Sequence, residues 1–173
     1  MTPDALQLYK LIILYFLKKT GQPTSNAILS DFILEEGYTD YFSIQETLTQ
    51  LCEDRMILTE QTHKTSYYVL GEIGEKTLDF FGKQLPDDTK HQIEAYLTKH
   101  HLDIVSSSSI KTDYTQVGPE DYLATGSLLE RGTTLMEVTM NVPSEEDTVT
   151  FCQRFEKKHE EVFQELFRIM NTD

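Results

Sequence analysis

The polar side chains best suited to contact a nucleic acid occur in two short stretches of the chain. One stretch begins a predicted helix after Gly37, and the other forms the tip of a predicted β-hairpin. The candidates are Thr39, Tyr41, Ser43, Gln45 and Glu46 in the first stretch and Thr62, His63 and Lys64 in the second. A glutamine amide pairs well with adenine, whereas hydroxyl and ammonium groups contact phosphates. These types and spacings predict base contacts from the helix, with Gln45 suited to adenine, and phosphate contacts from Ser43 or Tyr41 and from the hairpin, on double-stranded DNA.

The charge of the chain limits how such an interface binds. The 173 residues include 15 Lys+Arg against 29 Asp+Glu, a formal net charge of −14, and this balance excludes a histone-like or membrane-surface protein. The cations that one copy offers to phosphates are Lys18, Lys19, His63 and Lys64. They neutralise only about two to four phosphates. Because two copies double this number, the sequence predicts a homodimer.

Metal and enzyme chemistry are not expected from the other polar groups. Adjacent His100 and His101 point to different faces of a helix. Together with His91 and Asp103 they do not supply the i, i+4 histidine pair of a zinc site. The sequence contains no glycine-rich phosphate loop, and its many acids are typical of solvated helix faces. We therefore expect no metal, no cofactor and no enzymatic activity.

The composition is that of a folded cytoplasmic protein. Hydrophobic residues make up 39% of the chain, which is enough for a core. The cysteines Cys52 and Cys152 are too few and too far apart for a disulfide framework, and free thiols fit a reducing compartment. The apolar run at residues 5–17 is too short to span a bilayer and lacks the cationic start of a secretory signal. We expect cytoplasmic localisation and no membrane partner.

Helical periodicity predicts three helices in the first third of the chain. They are expected at about residues 4–19, 24–36 and 39–55, followed by a hairpin at 56–70 and a helix at 71–81. The first helix is apolar nearly all round, so we expect it to be buried on more than one side. Three helices followed by a hairpin are the element order of a winged helix-turn-helix domain.

The second half of the chain shows strand periodicity. After a helix that ends near His100, apolar residues alternate in three runs, at 104–110, 121–129 and 133–142. Ser144 then caps a long last helix with a broad phenylalanine-rich face. The pattern predicts a three-stranded antiparallel sheet covered by this helix. Because three short strands are too narrow to cover the whole apolar face of this helix, we expect another copy to cover the rest, that is, oligomerisation through this half.

Several of these segments resemble known bacterial regulators. Residues 67–81, with the sequence YYVLGEIGEKTLDFF, look like the second wing strand and following helix of PadR-like and MarR-like regulators, except that Gly71 stands where threonine usually caps the helix. Residues 41–57, 26–35 and 110–114 are similar to a bacterial family of predicted regulators catalogued as domain of unknown function 4364. The resemblance covers nearly the whole chain. The family carries no established activity, so the resemblance implies a fold more than a function.

Together these patterns predict an α+β protein with two domains. Residues 1–82 are expected to form the winged-helix domain, and residues 83–173 a small α+β module for dimerisation or sensing. The predicted function is a cytoplasmic bacterial transcriptional regulator that binds DNA as a homodimer. The alternative is an adaptor that uses the same domain to bind another protein without DNA, because the surface is acidic and the third helix has no arginine before its last residue. A third hypothesis is that residues 83–173 bind a small-molecule effector.

Overall fold

The computed structural model describes residues 2–101, 104, 109–130 and 132–172. Over these residues the chain is a mixed α+β protein with six α-helices, the last of them long, and two three-stranded antiparallel sheets. The chain divides into two units, Met1–Gln61 with Thr65–Ser108 and Thr62–Lys64 with Ser109–Asp173. Within the described ranges, no helix is both long enough and apolar enough to cross a membrane.

The first unit contains the helices and the hairpin expected in the first half of the chain. Its described helices are α1 (Pro3–Thr20), α2 (Asn26–Glu35), α3 (Tyr41–Glu53), α4 (Glu72–Phe81) and α5 (Asp87–Lys99), with a short 3-10 helix at Gly82–Gln84. Its strands are β1 (Thr24–Ser25), β2 (Ile57–Gln61) and β3 (Ser66–Leu70), in the order β1-β3-β2. The predicted helices and hairpin are confirmed. Strand β1 was not predicted, because two residues are too short to show a period.

Helix α1 accounts for the most apolar stretch of the sequence. Thr2 caps its start by accepting a hydrogen bond from the Ala5 amide, and Gly21 ends it in the left-handed region at φ +61°. The Gly21 amide donates to the Leu17 carbonyl oxygen at 3.2 Å. Helix α1 contacts α3, α4, α5 and β3, so it is buried on several sides, as its all-round apolar character predicts.

Aromatic rings fill the centre of the first unit. The ring centroids of Phe16 and Phe32 lie 5.2 Å apart, and those of Phe32 and Tyr96 lie 5.1 Å apart. Helix α5 supplies Tyr96 and the fully buried Ile93 to this core, so α5 lies in the first unit. The domain boundary expected near residue 82 stays a prediction, because a compact unit is not proof of independent folding.

The second unit is a sheet covered by a helix. Its strands are β4 (Ile110–Gly118), β5 (Asp121–Glu130) and β6 (Thr133–Val142), and they are followed by α6 (Glu145–Asn171). The sheet order is β4-β5-β6, and α6 contacts all three strands. The predicted antiparallel sheet, its last two strands and the covering helix are confirmed.

The first strand of this sheet was predicted in the wrong place. Of the expected run at 104–110, Ile104 and Ser109 are helical, only Ile110 is in a strand, and residues 105–108 lie outside the described part. Strand β4 begins only at Ile110 and pairs Tyr114 with Ala124 across a tight turn after Gly118. Such a turn pairs the residues that directly flank it, and this local geometry outweighs an alternation pattern farther away.

Candidate nucleic-acid interface

Asp40 positions the start of α3, on which most of the candidate base contacts lie. Its carboxylate accepts hydrogen bonds from the Ser43 amide and the Ser43 hydroxyl, both at 3.0 Å. These bonds hold the pKa of Asp40 below its ordinary value, because they stabilise the charged form. The Ser43 hydroxyl, which we expected to contact phosphate, is therefore part of the helix cap.

The outer face of α3 is aromatic and acidic. Its inner face is buried through Ile44, Thr47, Leu48 and Leu51. On the outer face Phe42 is 83% exposed and Tyr41 is 51% exposed, and their rings meet edge to face with centroids 6.2 Å apart. Glu46 is exposed beside them, and Thr39 is half-buried. Because α3 contains no lysine or arginine, this face offers apolar contact and negative charge.

Gln45 lies in a half-buried network that joins α3 to α2. Its side-chain amide exchanges two hydrogen bonds with the Asn26 side chain, at 2.9 and 3.1 Å. Asn26 also accepts from the Ser30 hydroxyl at 2.9 Å and donates to the Tyr68 hydroxyl at 3.3 Å. A paired amide must leave its partner before it can pair with adenine. No sequence pattern predicts that Asn26 pairs with Gln45, because only the fold brings the two side chains together.

We expect Gln45→Ala to lower the free energy of unfolding by about 1 to 3 kcal/mol, because it removes two hydrogen bonds from the half-buried Asn26 amide, which keeps only its bonds to Ser30 and Tyr68. Denaturant unfolding of the full chain measures the loss. The matched control is Gln50→Ala, the same change on the same helix, for which a loss below about 0.5 kcal/mol is expected. Unchanged stability together with a changed DNA sequence preference would instead favour the base-reading role.

The hairpin tip Thr62–Lys64 groups with the second unit. The His63 amide donates to Asp113 Oδ1 at 2.9 Å, and His63 Nδ1 lies 3.2 Å from the same oxygen. The Lys64 ammonium pairs with the Glu156 carboxylate, and the Lys64 amide donates to the Thr62 hydroxyl at 3.3 Å. The structure therefore assigns the two predicted stretches, on α3 and at the hairpin tip, to different units.

The Lys64–Glu156 pair keeps Glu156 charged. Burial raises the pKa of Glu156, but hydrogen bonds from Lys64 and from the Thr112 hydroxyl outweigh this effect and hold the pKa below its ordinary value. Both side chains of the ion pair are more than one third exposed. Such a pair contributes only about 0 to 1 kcal/mol, so a phosphate can displace Glu156 at little cost.

The other cations that could contact phosphate are paired as well. Lys18 Nζ lies 3.3 Å from an Asp79 carboxylate oxygen, and Lys19 Nζ lies 3.1 Å from a Glu94 carboxylate oxygen. Both lysines are partly exposed, so these pairs are also weak. Each proposed phosphate contact thus exchanges an existing carboxylate for a phosphate, which lowers the net gain in affinity.

The described residues offer little for metal or thiol chemistry. Among them no group of three or more His, Cys, Asp and Glu side chains is placed to hold a metal ion, and Asp103 lies outside them. Burial raises the pKa of both Cys52 and Cys152, which disfavours the nucleophilic thiolate. The His100 ring stacks on Tyr96 with centroids 4.2 Å apart.

Comparison with known proteins places the chain in a family. Neither the curated proteins nor the solved structures contain a match. One family model, described as a domain of unknown function, matches residues 9–170 and so covers nearly the whole chain. The protein therefore belongs to the family Domain of unknown function (DUF4364).

Proposed function

We propose that the first unit is a winged helix-turn-helix domain and that the protein is a bacterial transcriptional regulator that binds double-stranded DNA as a homodimer. The observation that carries the proposal is the arrangement of α2 and α3. A short connection with Gly37 in the left-handed region, at φ +70°, joins the two helices, and the β2–β3 hairpin follows them. Helix α3 buries one face and exposes the other, as a helix that enters the major groove must.

Electrostatics determine how this domain would bind. Because the outer face of α3 has no cation, phosphate contacts must come from other elements: Lys18 and Lys19 of the first unit, and Lys64 of the second unit, each of which first leaves a carboxylate. A monomer gains little from so few contacts, and a dimer doubles them. We therefore propose that affinity depends on two copies, and that Tyr41, Phe42 and Glu46 on α3 determine which bases are accepted.

We expect the protein to bind a duplex from its own promoter region more tightly than a random duplex at low salt. Lys64→Ala should weaken binding to both duplexes by a similar factor and reduce the slope of log K against log salt by about one unit per copy, because one phosphate contact is lost. Mobility-shift titrations at several salt concentrations measure both effects. The control is Lys76→Ala, which removes a lysine that is also exposed (68%, against 49% for Lys64) and also paired with a carboxylate, Glu72 on α4. Equal binding of both duplexes at low salt would contradict the proposal.

A second candidate function is an adaptor that binds another protein through α3. The observation that favours it is the exposed pair Tyr41 and Phe42 on a helix without cations, together with Leu34 at 44% exposure on α2. Aromatic side chains are enriched at protein interfaces. Pull-down from a nuclease-treated lysate tests this function. A partner retained by the wild type and lost with Phe42→Ser, in a chain that shows no DNA preference, would replace the regulator with the adaptor.

A further inference from the structure

Helix α6 extends beyond the sheet that it covers. Its 27 residues span about 40 Å. Thr148, Cys152 and Phe155 are buried, whereas every residue from 164 to 171 is exposed. We call residues 164–171 the projecting end. Its exposed apolar side chains are Leu166 (40%), Phe167 (61%), Ile169 (57%) and Met170 (79%). By helical spacing, Leu166 and Ile169 continue the stripe that begins at Phe155.

An open groove lies beside α6 in the same unit. Its volume is about 520 Å³, and both β6 and α6 line it. The apolar lining side chains include Val138, Met140, Val142, Phe151, Phe155 and Val162. Arg154, Lys158 and Asp147 also line the groove, so its α6 side carries two cations against one carboxylate. No sequence pattern predicts this groove, because only the fold separates β6 from α6.

We propose that the projecting end of each copy fills the groove of a second copy, so that two α6 helices lie antiparallel about a two-fold axis near residue 161. Leu166 and Ile169 of one copy then contact Phe155 and Phe151 of the other. A two-fold axis makes each contact occur twice, and each groove receives one projecting end. This inference names the surface of the proposed homodimer, and it does not depend on DNA binding.

Charge complementarity specifies both the occupant and the direction. Within one chain, Lys158 Nζ lies 4.0 Å from a Glu161 carboxylate oxygen and Arg168 lies 2.8 Å from a Glu165 carboxylate oxygen, and both exposed pairs are weak. Lys158 and Glu165 are seven residues apart on one side of α6, about 10 Å along the helix, so they do not pair with each other within one chain. In the antiparallel pair, Lys158 of each copy meets Glu165 of the other. A parallel pair would place Lys158 against Lys158 and Glu165 against Glu165, which is unfavourable.

The apolar area is large enough for a stable contact. At about 150 to 200 Å² for each large side chain, the four exposed fractions of the projecting end amount to roughly 400 Å² per copy. Monomeric proteins rarely leave larger contiguous apolar patches exposed. The contact reaches the roughly 1,000 Å² expected of a specific interface only when all four side chains are covered, so the pairing must bury Phe167 and Met170 at its edge as well as Leu166 and Ile169 in the groove.

Sedimentation of the full chain over a range of concentrations tests the proposal. The wild type is expected to be a dimer. Ile169→Lys places a charge in an apolar groove beside Arg154 and should raise the dissociation constant at least about tenfold. The control Gln164→Lys changes a residue on the opposite side of the projecting end and should leave the constant within about threefold of the wild type.

Charge reversal tests the register. Lys158→Glu and Glu165→Lys should each weaken the dimer about tenfold, and the double variant should restore it, because only contacts between copies join these residues.

A monomeric wild type, or a small amphipathic ligand found in the groove of a monomer by native mass spectrometry, would overturn the inference. If Ile169→Lys left the dissociation constant of the dimer unchanged, the dimer would form through another surface, and the proposed interface would be wrong while the homodimer remained. If the dimer responds to these variants as expected but binds both duplexes equally, the α6 interface stands and only the proposed regulatory function is contradicted.

Discussion

Gly74→Ala is expected to unfold the first unit under conditions in which Gly82→Ala leaves it folded. A Cβ atom at Gly74 would lie 2.1 Å from the Met56 carbonyl oxygen and 2.8 Å from Leu14 Cδ2. The Met56 oxygen cannot move freely, because it accepts a hydrogen bond from the Gly71 amide at 2.9 Å. The added methyl group would therefore force α4 away from the start of β2.

The size of the effect follows from two opposing terms. Alanine in a helix is favoured over glycine by about 1 kcal/mol. Overpacking costs about 1 to 3 kcal/mol and sometimes more, and an approach of 2.1 Å to a backbone oxygen places Gly74→Ala at about 3 kcal/mol or above, so we expect a net loss of about 2 kcal/mol or more. Denaturant unfolding, followed by circular dichroism of the full chain, measures this difference.

Gly82→Ala is the matched control for this prediction. A Cβ atom at Gly82 meets Leu78 Cδ1 at 3.5 Å, an ordinary contact, and the backbone there has φ −60°. Alanine fits this conformation and should be neutral or stabilise by up to about 1 kcal/mol. If both variants unfolded at the same denaturant concentration, the close approach of α4 to Met56 would be wrong.

Gly126→Ala is expected to have a comparable effect on the second unit. A Cβ atom at Gly126 would lie 2.4 Å from Cγ of Phe155, so the ring packs directly on the backbone of β5. Phe155 is only 5% exposed, and α6 holds it in place. A glycine inside a strand often marks such a close approach. We expect a loss of about 2 to 3 kcal/mol, because the ring cannot shift without leaving its site.

A double-mutant cycle identifies the cause of this loss. Phe155→Ala alone should cost about 3 to 5 kcal/mol by leaving a cavity. In Gly126→Ala/Phe155→Ala the methyl group enters that cavity, so the double variant should cost less than the sum by at least about 1 kcal/mol. Ser127→Ala, a change at the next position of β5, should stay within about 0.5 kcal/mol of the wild type. Strict additivity would show that the ring does not lie on Gly126.

Both glycines illustrate what sequence patterns do and do not indicate. The stretch from Gly71 to Gly74 is too short for a phosphate loop, and its glycines instead allow close packing against Met56. No sequence pattern predicts a structural role for Gly126, because that role depends on the contact with Phe155 in another element. A glycine in a sequence indicates a backbone conformation that other residues disfavour, or a site where another group packs closely, but it does not identify which residue packs there.

The helices, the hairpin, two of the three C-terminal strands and the charge balance are readable from the order of the residues alone. These features follow from periodicity, caps and turns, which act between residues close along the chain, such as Asp40 and Ser43. Which partner each polar side chain contacts depends instead on the tertiary structure. Asn26 is 19 residues from Gln45, and Lys64 is 92 residues from Glu156. No local pattern encodes such pairs, because hydrogen bonds and ion pairs depend on distance in space.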